Sequence, residues 1–279
     1  MPSFATPEPI SATLDVVAGQ ARVTATDRDD TVVDVRPSDP DSGLDVKAAE
    51  GTTVDFTAGR LTVRTPRSRG LFGRTGMVDV VVHLPTGSHV TAHGSLADFH
   101  AEGELGECRF KTSAGHIRLH RTGALKASTS SGDVAVDHAT GRVELSTGSG
   151  EVRVGRLDGT GTVKNSNGAT RLGEVTGDVR LSAANGDIFV GLAEGDVHAK
   201  TANGHIRLTE VARGSVVVET QSGGLEVGIR EGTAALLDLR TAAGRVRNEL
   251  TPSAGPAETD ERAEVRGRTS LGDILIHRA

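Results

Sequence analysis

Apolar and polar residues alternate along most of this chain in short runs that follow glycines. After Gly132 the apolar positions are Val134 and Val136, and Ile188 and Val190 repeat the pattern further on. Alternation with a period of two is typical of a β-strand with one buried face. Ser-Gly and Asn-Gly pairs between the runs favour tight turns. The pattern therefore predicts short strands, and no stretch is long and periodic enough to predict a helix.

One phrase returns through the second two thirds of the chain, as TSSGDVAV from Thr129, NSNGATRL from Asn165 and TANGHIRL from Thr201. Its glycines recur every 18 residues through the middle of the chain, and a second glycine series lies halfway between them. Equal steps bring like residues together one coil later, at about the 4.8 Å spacing of adjacent strands. We expect a parallel β-solenoid (β-helix) with about 18 residues and two main strands per coil, and the crossover preference favours a right-handed one.

The fold class expected is all-β, with two regions. Residues 1–100 contain strand-like runs such as MVDVVVHLP without the strict step, which predicts a small N-terminal antiparallel β region capping the solenoid. Residues 101–279 hold the solenoid repeats. The polar segment TPSAGPAETDER at 251–262 interrupts them and predicts a surface loop.

In these features the chain resembles a widespread bacterial family of unknown function whose members are labelled candidate adhesins and share a β-solenoid. The matching features are the repeated Thr-x-Ser/Asn-Gly-Asp-Ile/Val phrase, the segment MVDVVVHLPTG before the first coil, and an opening of short strands. The resemblance covers nearly the whole chain. It implies a β-solenoid and offers no catalytic residues to transfer to this sequence.

Composition fits a core of small and β-branched side chains, because the chain has 36 Gly, six Phe and no Trp or Tyr. The net charge of −6 is modest, and no apolar stretch is long enough to span a bilayer. Residues 1–10 do not have the pattern of a secretory signal, so we expect a cytoplasmic protein, with peripheral membrane association left open. Cys108 is the single cysteine, which excludes an intrachain disulfide, and we interpret it as a small buried residue.

Neither a catalytic nor a metal site is expected, and no cofactor. Calcium-binding β-rolls share the 18-residue coil, but here each turn has one glycine instead of three. The acids of this column, Asp133 and Glu151 among them, are interpreted as turn carboxylates that accept backbone hydrogen bonds. A polysaccharide-acting enzyme would need long loops and sugar-stacking aromatics, which argues against that alternative.

Two sets of residues are candidate interaction surfaces. The first is the arginine-rich segment PRSRGLFGRTG with the preceding arginine, which could contact a membrane or a protein partner, or fold back onto the domain. Its candidate residues are Arg64, Arg67, Arg69, Leu71, Phe72 and Arg74. The second is an outward stripe that could follow a polyanion, or could be a solvated face whose arginines pair with acids. The stripe comprises Arg118, Arg153, Arg171, Arg207 and Arg247. Nucleic acid is disfavoured, because stacking aromatics are missing.

The end of the repeat is a third candidate surface. The last phrase, TSLGDILIHRA from Thr269, runs to the C-terminus without a recognisable cap, so we expect it to form the open final coil. An open coil presents unpaired N–H and C=O groups to other strands. The sequence therefore predicts a non-enzymatic structural or scaffold protein that binds a protein partner, or itself, through a solenoid end.

Overall fold

The computed structural model describes residues 1–67, 75–251 and 261–279. Within them the chain forms 23 strands and one short helix, which confirms the all-β class. The chain divides into two compact units, residues 1–137 and 138–279. The division predicted near residue 100 stays a prediction.

Unit 1 contains eleven elements and the start of a twelfth. They are β1 (Ser3–Ala5), β2 (Ser11–Thr26), β3 (Asp30–Pro37), α1 (Gly43–Glu50), β4 (Thr53–Thr57), β5 (Arg60–Arg64), β6 (Val78–Pro85), β7 (His89–Leu105), β8 (Cys108–Ala114), β9 (Ile117–Thr122), β10 (Leu125–Ser131) and the beginning of β11 (Val134–Ser149). Strand β2 lies inside this unit: it pairs in parallel with β5 and β6 on one side and with β7 on the other. Parallel pairing continues from β7 to β8 and β9, and from β8 to β10.

The prediction of an antiparallel N-terminal region is wrong for β2, β5, β6 and β7, and right for the outermost strands. Strand β4 runs antiparallel to β5, β3 to β6, and β1 to β3. These strands lie on the outer side of β5 and β6 and cover that end of the parallel ladder. The 18-residue step is missing here because strands that are consecutive in sequence do not stack in that order. Ser11 pairs with Arg60 on one side and with His89 on the other.

The helix α1 was not predicted, because eight residues are too few to show a helical period. Its N-terminal cap is Ser42, whose hydroxyl accepts a hydrogen bond from the backbone N–H of Asp45. The Asp45 carboxylate is itself buried and accepts backbone N–H groups from Asp39 and Met77. These hydrogen bonds connect the N-terminus of the helix to Asp39, which precedes it, and to Met77, which directly precedes β6.

Unit 2 contains the rest of β11 and twelve further strands. They are β12 (Val152–Asn167), β13 (Thr170–Val175), β14 (Val179–Asn185), β15 (Ile188–Ala193), β16 (Val197–Asn203), β17 (Ile206–Val211), β18 (Gly214–Ser222), β19 (Leu225–Ile229), β20 (Thr233–Ala243), β21 (Val246–Asn248), β22 (Glu261–Leu271) and β23 (Ile274–Arg278). Parallel pairing joins most of them into two ladders. The first ladder runs β12, β13, β15, β17, β19, β23, β21, and the second runs β12, β14, β16, β18, β22, β20.

The register of these ladders follows the sequence repeat. Val152 pairs with Thr170, which pairs with Ile188, so successive partners lie 18 residues apart. Alternate side chains point inward and stack into buried columns of Val, Leu, Ile and Ala. We use the word layer for two strands at the same level of the stack, one from each ladder.

The C-terminal strands do not form the final layer, which corrects the expectation for the last phrase. Strand β22 lies between β18 and β20, and β23 lies between β19 and β21. The side chains of Val265, Ile274 and Ile276 are completely buried there, whereas all three residues of β21 are exposed. Strands β22 and β23 therefore occupy the interior, and β20 and β21 form the end. Residues 261 and 262 of the predicted loop begin β22, and 252–260 lie outside the described residues.

Candidate interaction surfaces

At the end formed by β20 and β21, no described strand covers the apolar columns of unit 2. Val265 lies between Val216 and Leu237 in one column, and both valines are buried completely. Among the described strands Leu237 has a ladder neighbour on one side only, and it is half-buried. In the first ladder, Ile274 is 1% exposed and its partner Val246 is 46% exposed. The last described layer thus partly exposes columns that are buried at Val265 and Ile274, one layer further in.

The backbone at this end lacks a hydrogen-bonding neighbour among the described strands. In earlier layers the residues with buried side chains direct their N–H groups to the next layer. The N–H of Ile206 donates to the carbonyl of Gly224 (3.0 Å), and that of Leu225 to the carbonyl of Asp273 (2.9 Å). Val246 and Leu237 occupy the corresponding positions of the last layer. By the same alternation their N–H and C=O groups point away from the described strands.

The outward side chains of β20 alternate with this apolar row and carry both charges. Leu236 is 69% exposed, and Arg240 bonds Asp238 of the same strand through its Nε atom (3.2 Å). Both charged side chains are largely solvated, so this pair stabilises the isolated unit little. The edge strand therefore offers apolar residues on its inner face and an acid and a base on its outer face.

The arginine stripe comes together only in part. Arg153 and Arg171 are direct ladder partners, and Phe189 separates Arg171 from Arg207. Arg247 follows Leu275, because β23 is inserted before β21. The fifth member, Arg118, belongs to unit 1, where its ladder partner is His100.

Acidic side chains are interleaved with the stripe. Glu151 binds both Arg153 (3.2 Å) and Arg171 (2.5 Å), and Glu226 lies 3.3 Å from Arg207. Partial burial favours a higher pKa for Glu151, but hydrogen bonds from Arg171 and Arg153 outweigh this effect and lower its pKa. The stripe is thus a mixed row in which a carboxylate neutralises much of the positive charge.

A second charged cluster was missed by sequence reasoning. Arg156 bonds Asp158 and Glu174, and His138 Nε2 lies 2.7 Å from Asp158. Hydrogen bonds from Arg156, then from His138, lower the pKa of Asp158 to about 2. Arg156 and Glu174 stand one repeat apart, so the 18-residue step was the signal that could have found the pair.

A family model describes this architecture. The Toastrack DUF4097 model matches residues 12–274 of the chain, which is nearly its whole length. The chain belongs to the Toastrack DUF4097 family. No curated protein matches this Toastrack chain.

Several solved structures are similar to the Toastrack chain at low sequence identity. A candidate adhesin from Bacteroides fragilis is 12% identical, with 99% of this chain and 95% of that chain covered and a TM-score of 0.35. A candidate adhesin from Parabacteroides distasonis is 13% identical, with 100% and 95% covered and a TM-score of 0.34. A candidate lipid-binding protein from the same species is 12% identical, with 98% and 95% covered and a TM-score of 0.32.

The arginine-rich segment of the Toastrack chain is described only at its start. Arg64 lies 3.3 Å from Asp15, and Arg64 and Arg67 line a shallow groove of about 780 Å³ together with His93. The predicted contact residues Arg69, Leu71, Phe72 and Arg74 lie outside the described residues. The role of this segment stays a prediction.

Asp178, Asp187 and Asp196 accept backbone N–H groups from the next layer, which is the role predicted for turn carboxylates, whereas Glu151 binds arginine side chains. Asp178 accepts from Asp196 (3.1 Å), Asp196 from Ser215 (2.7 Å) and Asp187 from His205 (2.8 Å). Within residues 1–67, 75–251 and 261–279, no group of three His, Cys, Asp or Glu residues is arranged to hold a metal ion. The single helix described in this chain is too short to cross a bilayer.

Cys108 is buried at the start of β8, as predicted. Burial raises the pKa of its thiol to about 12. The thiolate is the reactive form of cysteine, so this side chain is chemically protected in the folded chain.

Proposed function

We propose that this chain is a non-catalytic, right-handed β-solenoid with about 18 residues and two main strands per coil, and that it acts as a scaffold. The scaffold binds a protein partner through the end formed by β20 and β21. The register of the ladders supports the coil, and the crossover preference supports its hand. The uncovered columns at Leu237 and Val246 are the observation that carries the binding role.

A partner strand added to β20 would supply two kinds of stabilisation. It would cover half-buried apolar side chains, and complete burial of one Leu or Val stabilises by roughly 1.5–3 kcal/mol relative to full exposure. It would also pair the outward N–H and C=O groups, as peptide strands do when they extend an exposed sheet edge.

Binding of a polyanion along the arginine stripe is the less favoured alternative. Glu151 and Glu226 lie among the arginines and offset their charge, and a polyanion would have to displace these ion pairs. At the end formed by β20 and β21, by contrast, no described strand of the chain occupies the place that a partner strand would take.

Residue-resolved hydrogen exchange in dilute full-length protein tests the open end. We expect the amides of Leu237 and Val246 to exchange far faster than that of Val265, which lies one layer further in. Val216 serves as a second interior control because it shares the column with Leu237. Equal protection of Leu237 and Val265 in the dilute protein would mean that the end is already closed, and the proposed function would be wrong.

A further inference from the structure

We propose that the partner at this end is a second copy of the same chain. The two copies pair their β20 strands antiparallel, about a two-fold axis that passes through Leu239. This inference rests on the proposed function, because it needs the end to be open. Three properties of β20 lead to it: the direction of its backbone groups, its charges and its apolar face.

The backbone restricts the registers that two β20 strands can adopt. Leu237 and Leu239 follow the buried columns, so their N–H and C=O groups point to the open side. Residues of this kind must face one another across the new pair to exchange both hydrogen bonds. A two-fold axis through Leu239 achieves this, because Leu239 faces Leu239 and Leu237 faces Thr241. Nine residues of each strand, 235–243, then lie opposite each other.

Charge selects this register over its neighbours. With the axis at Leu239, Asp238 of each copy stands directly opposite Arg240 of the other, so two cross-strand ion pairs form. These residues occupy the non-hydrogen-bonded sites, where opposed side chains are closest. An axis through Asp238 would oppose two carboxylates, and an axis through Arg240 would oppose two guanidinium groups.

The apolar face of β20 is completed by the same arrangement. Leu239 meets its own copy, and Leu237 meets the methyl-bearing Thr241. Ala235 meets Ala243 at the ends of the pair. In sequence, the segment 252–260 consists of Pro, Ser, Ala, Gly, Glu, Thr and Asp, so it has no large apolar side chain to offer to this face. An isologous contact of this kind uses both open ends at once and stops at a dimer.

Sedimentation velocity of the full-length chain across concentration is the first test. We expect a monomer–dimer equilibrium in the wild type. Asp238→Arg and Arg240→Asp should each weaken dimerisation by about tenfold or more, because each creates two like-charge pairs across the axis. The double variant D238R/R240D restores opposite charges and should restore the dimer. Glu264→Arg is the matched control, since Glu264 lies on the interior strand β22; it should leave the equilibrium unchanged.

Cysteine cross-linking tests the register itself. Opposed residues of a hydrogen-bonded antiparallel pair have Cα atoms about 5.5 Å apart, within the range that a disulfide bridges. Leu239→Cys should therefore give a disulfide-linked dimer under mild oxidation. Leu236→Cys should not, although Leu236 is 69% exposed, because it would face Ala242.

The two proposals can fail separately. A wild type that stays monomeric at high concentration, while Leu237 and Val246 exchange fast, would overturn the self-pairing and leave the end open for another protein. A dimer that is indifferent to all the β20 substitutions would place the contact elsewhere and also overturn the self-pairing. Protection of Leu237 in the dilute monomer would overturn the proposed function first.

Discussion

Replacing Gly186 by alanine tests whether the turn glycines are required by the close approach of successive layers. The φ angle of Gly186 is +152°, and a Cβ atom placed there would lie 2.0 Å from the carbonyl oxygen of Gly168 in the preceding layer. Real Cβ contacts are essentially never shorter than 3.0 Å. The two layers would have to separate at this corner, because the obstacle is backbone and cannot rotate away.

The expected cost has three parts. Positive φ in a non-glycine residue costs about 1–2 kcal/mol. Separation of these two layers strains the hydrogen bond from the Gly168 N–H to the Asn185 carbonyl (3.0 Å), at about 0.5–1.5 kcal/mol. Overpacking of the column beside them adds about 1–3 kcal/mol. We therefore expect Gly186→Ala to lower the free energy of unfolding by about 2.5–6.5 kcal/mol, a large part of the stability of an ordinary domain.

Gly232→Ala is the matched control in the same unit. Gly232 also has a positive φ, +82°, but a Cβ atom there would meet nothing within 4 Å. Only the conformational cost applies, about 1–2 kcal/mol. Urea unfolding of the wild type and both variants, followed by circular dichroism, gives the three free energies. Equal losses in the two variants would refute the reasoning, because the backbone contact at Gly186 would then contribute nothing.

Three further outcomes are expected. Cys108 should not react with a thiol reagent at neutral pH until the chain unfolds, since the pKa of its thiol is about 12; rapid labelling of the native protein would contradict the buried site. Asp158 has its pKa lowered from 3.8 to about 2, so its contribution to stability is complete above about pH 4 and is lost as the pH falls towards 2. Asp158→Asn should therefore flatten the acid limb of the stability profile, and an unchanged limb would argue against the ion pair. Finally, the triple replacement of Arg153, Arg171 and Arg207 by serine should hardly change retention on heparin, because acids already offset these charges; a large loss of retention would favour the polyanion alternative.

The sequence identified the residues of the arginine stripe and the presence of an open end, but it did not place all of them correctly. The repeat put Arg153, Arg171 and Arg207 in one row, and the ladders have them in that order with Phe189 between. An equal step also implies that coils stack in chain order, which is wrong at this end: Leu275 precedes Arg247 in the ladder, because β23 enters it ahead of β21. The open end was expected at the C-terminal phrase, and it lies at β20 and β21 for the same reason.

In the repeat region the alternating pattern and the glycine period by themselves determined the strands, their parallel pairing and the buried columns. These properties are local: each depends on residues within one repeat and on the spacing to the next. The order of the strands within unit 1, and at the end of unit 2 formed by β20 and β21, was decided only by the tertiary structure. Strand β2 lies inside unit 1, and β22 and β23 lie inside unit 2, where Val265 and Ile274 gain apolar neighbours on both sides. Competition among strands for the interior depends on all of them at once, so no single repeat encodes its outcome.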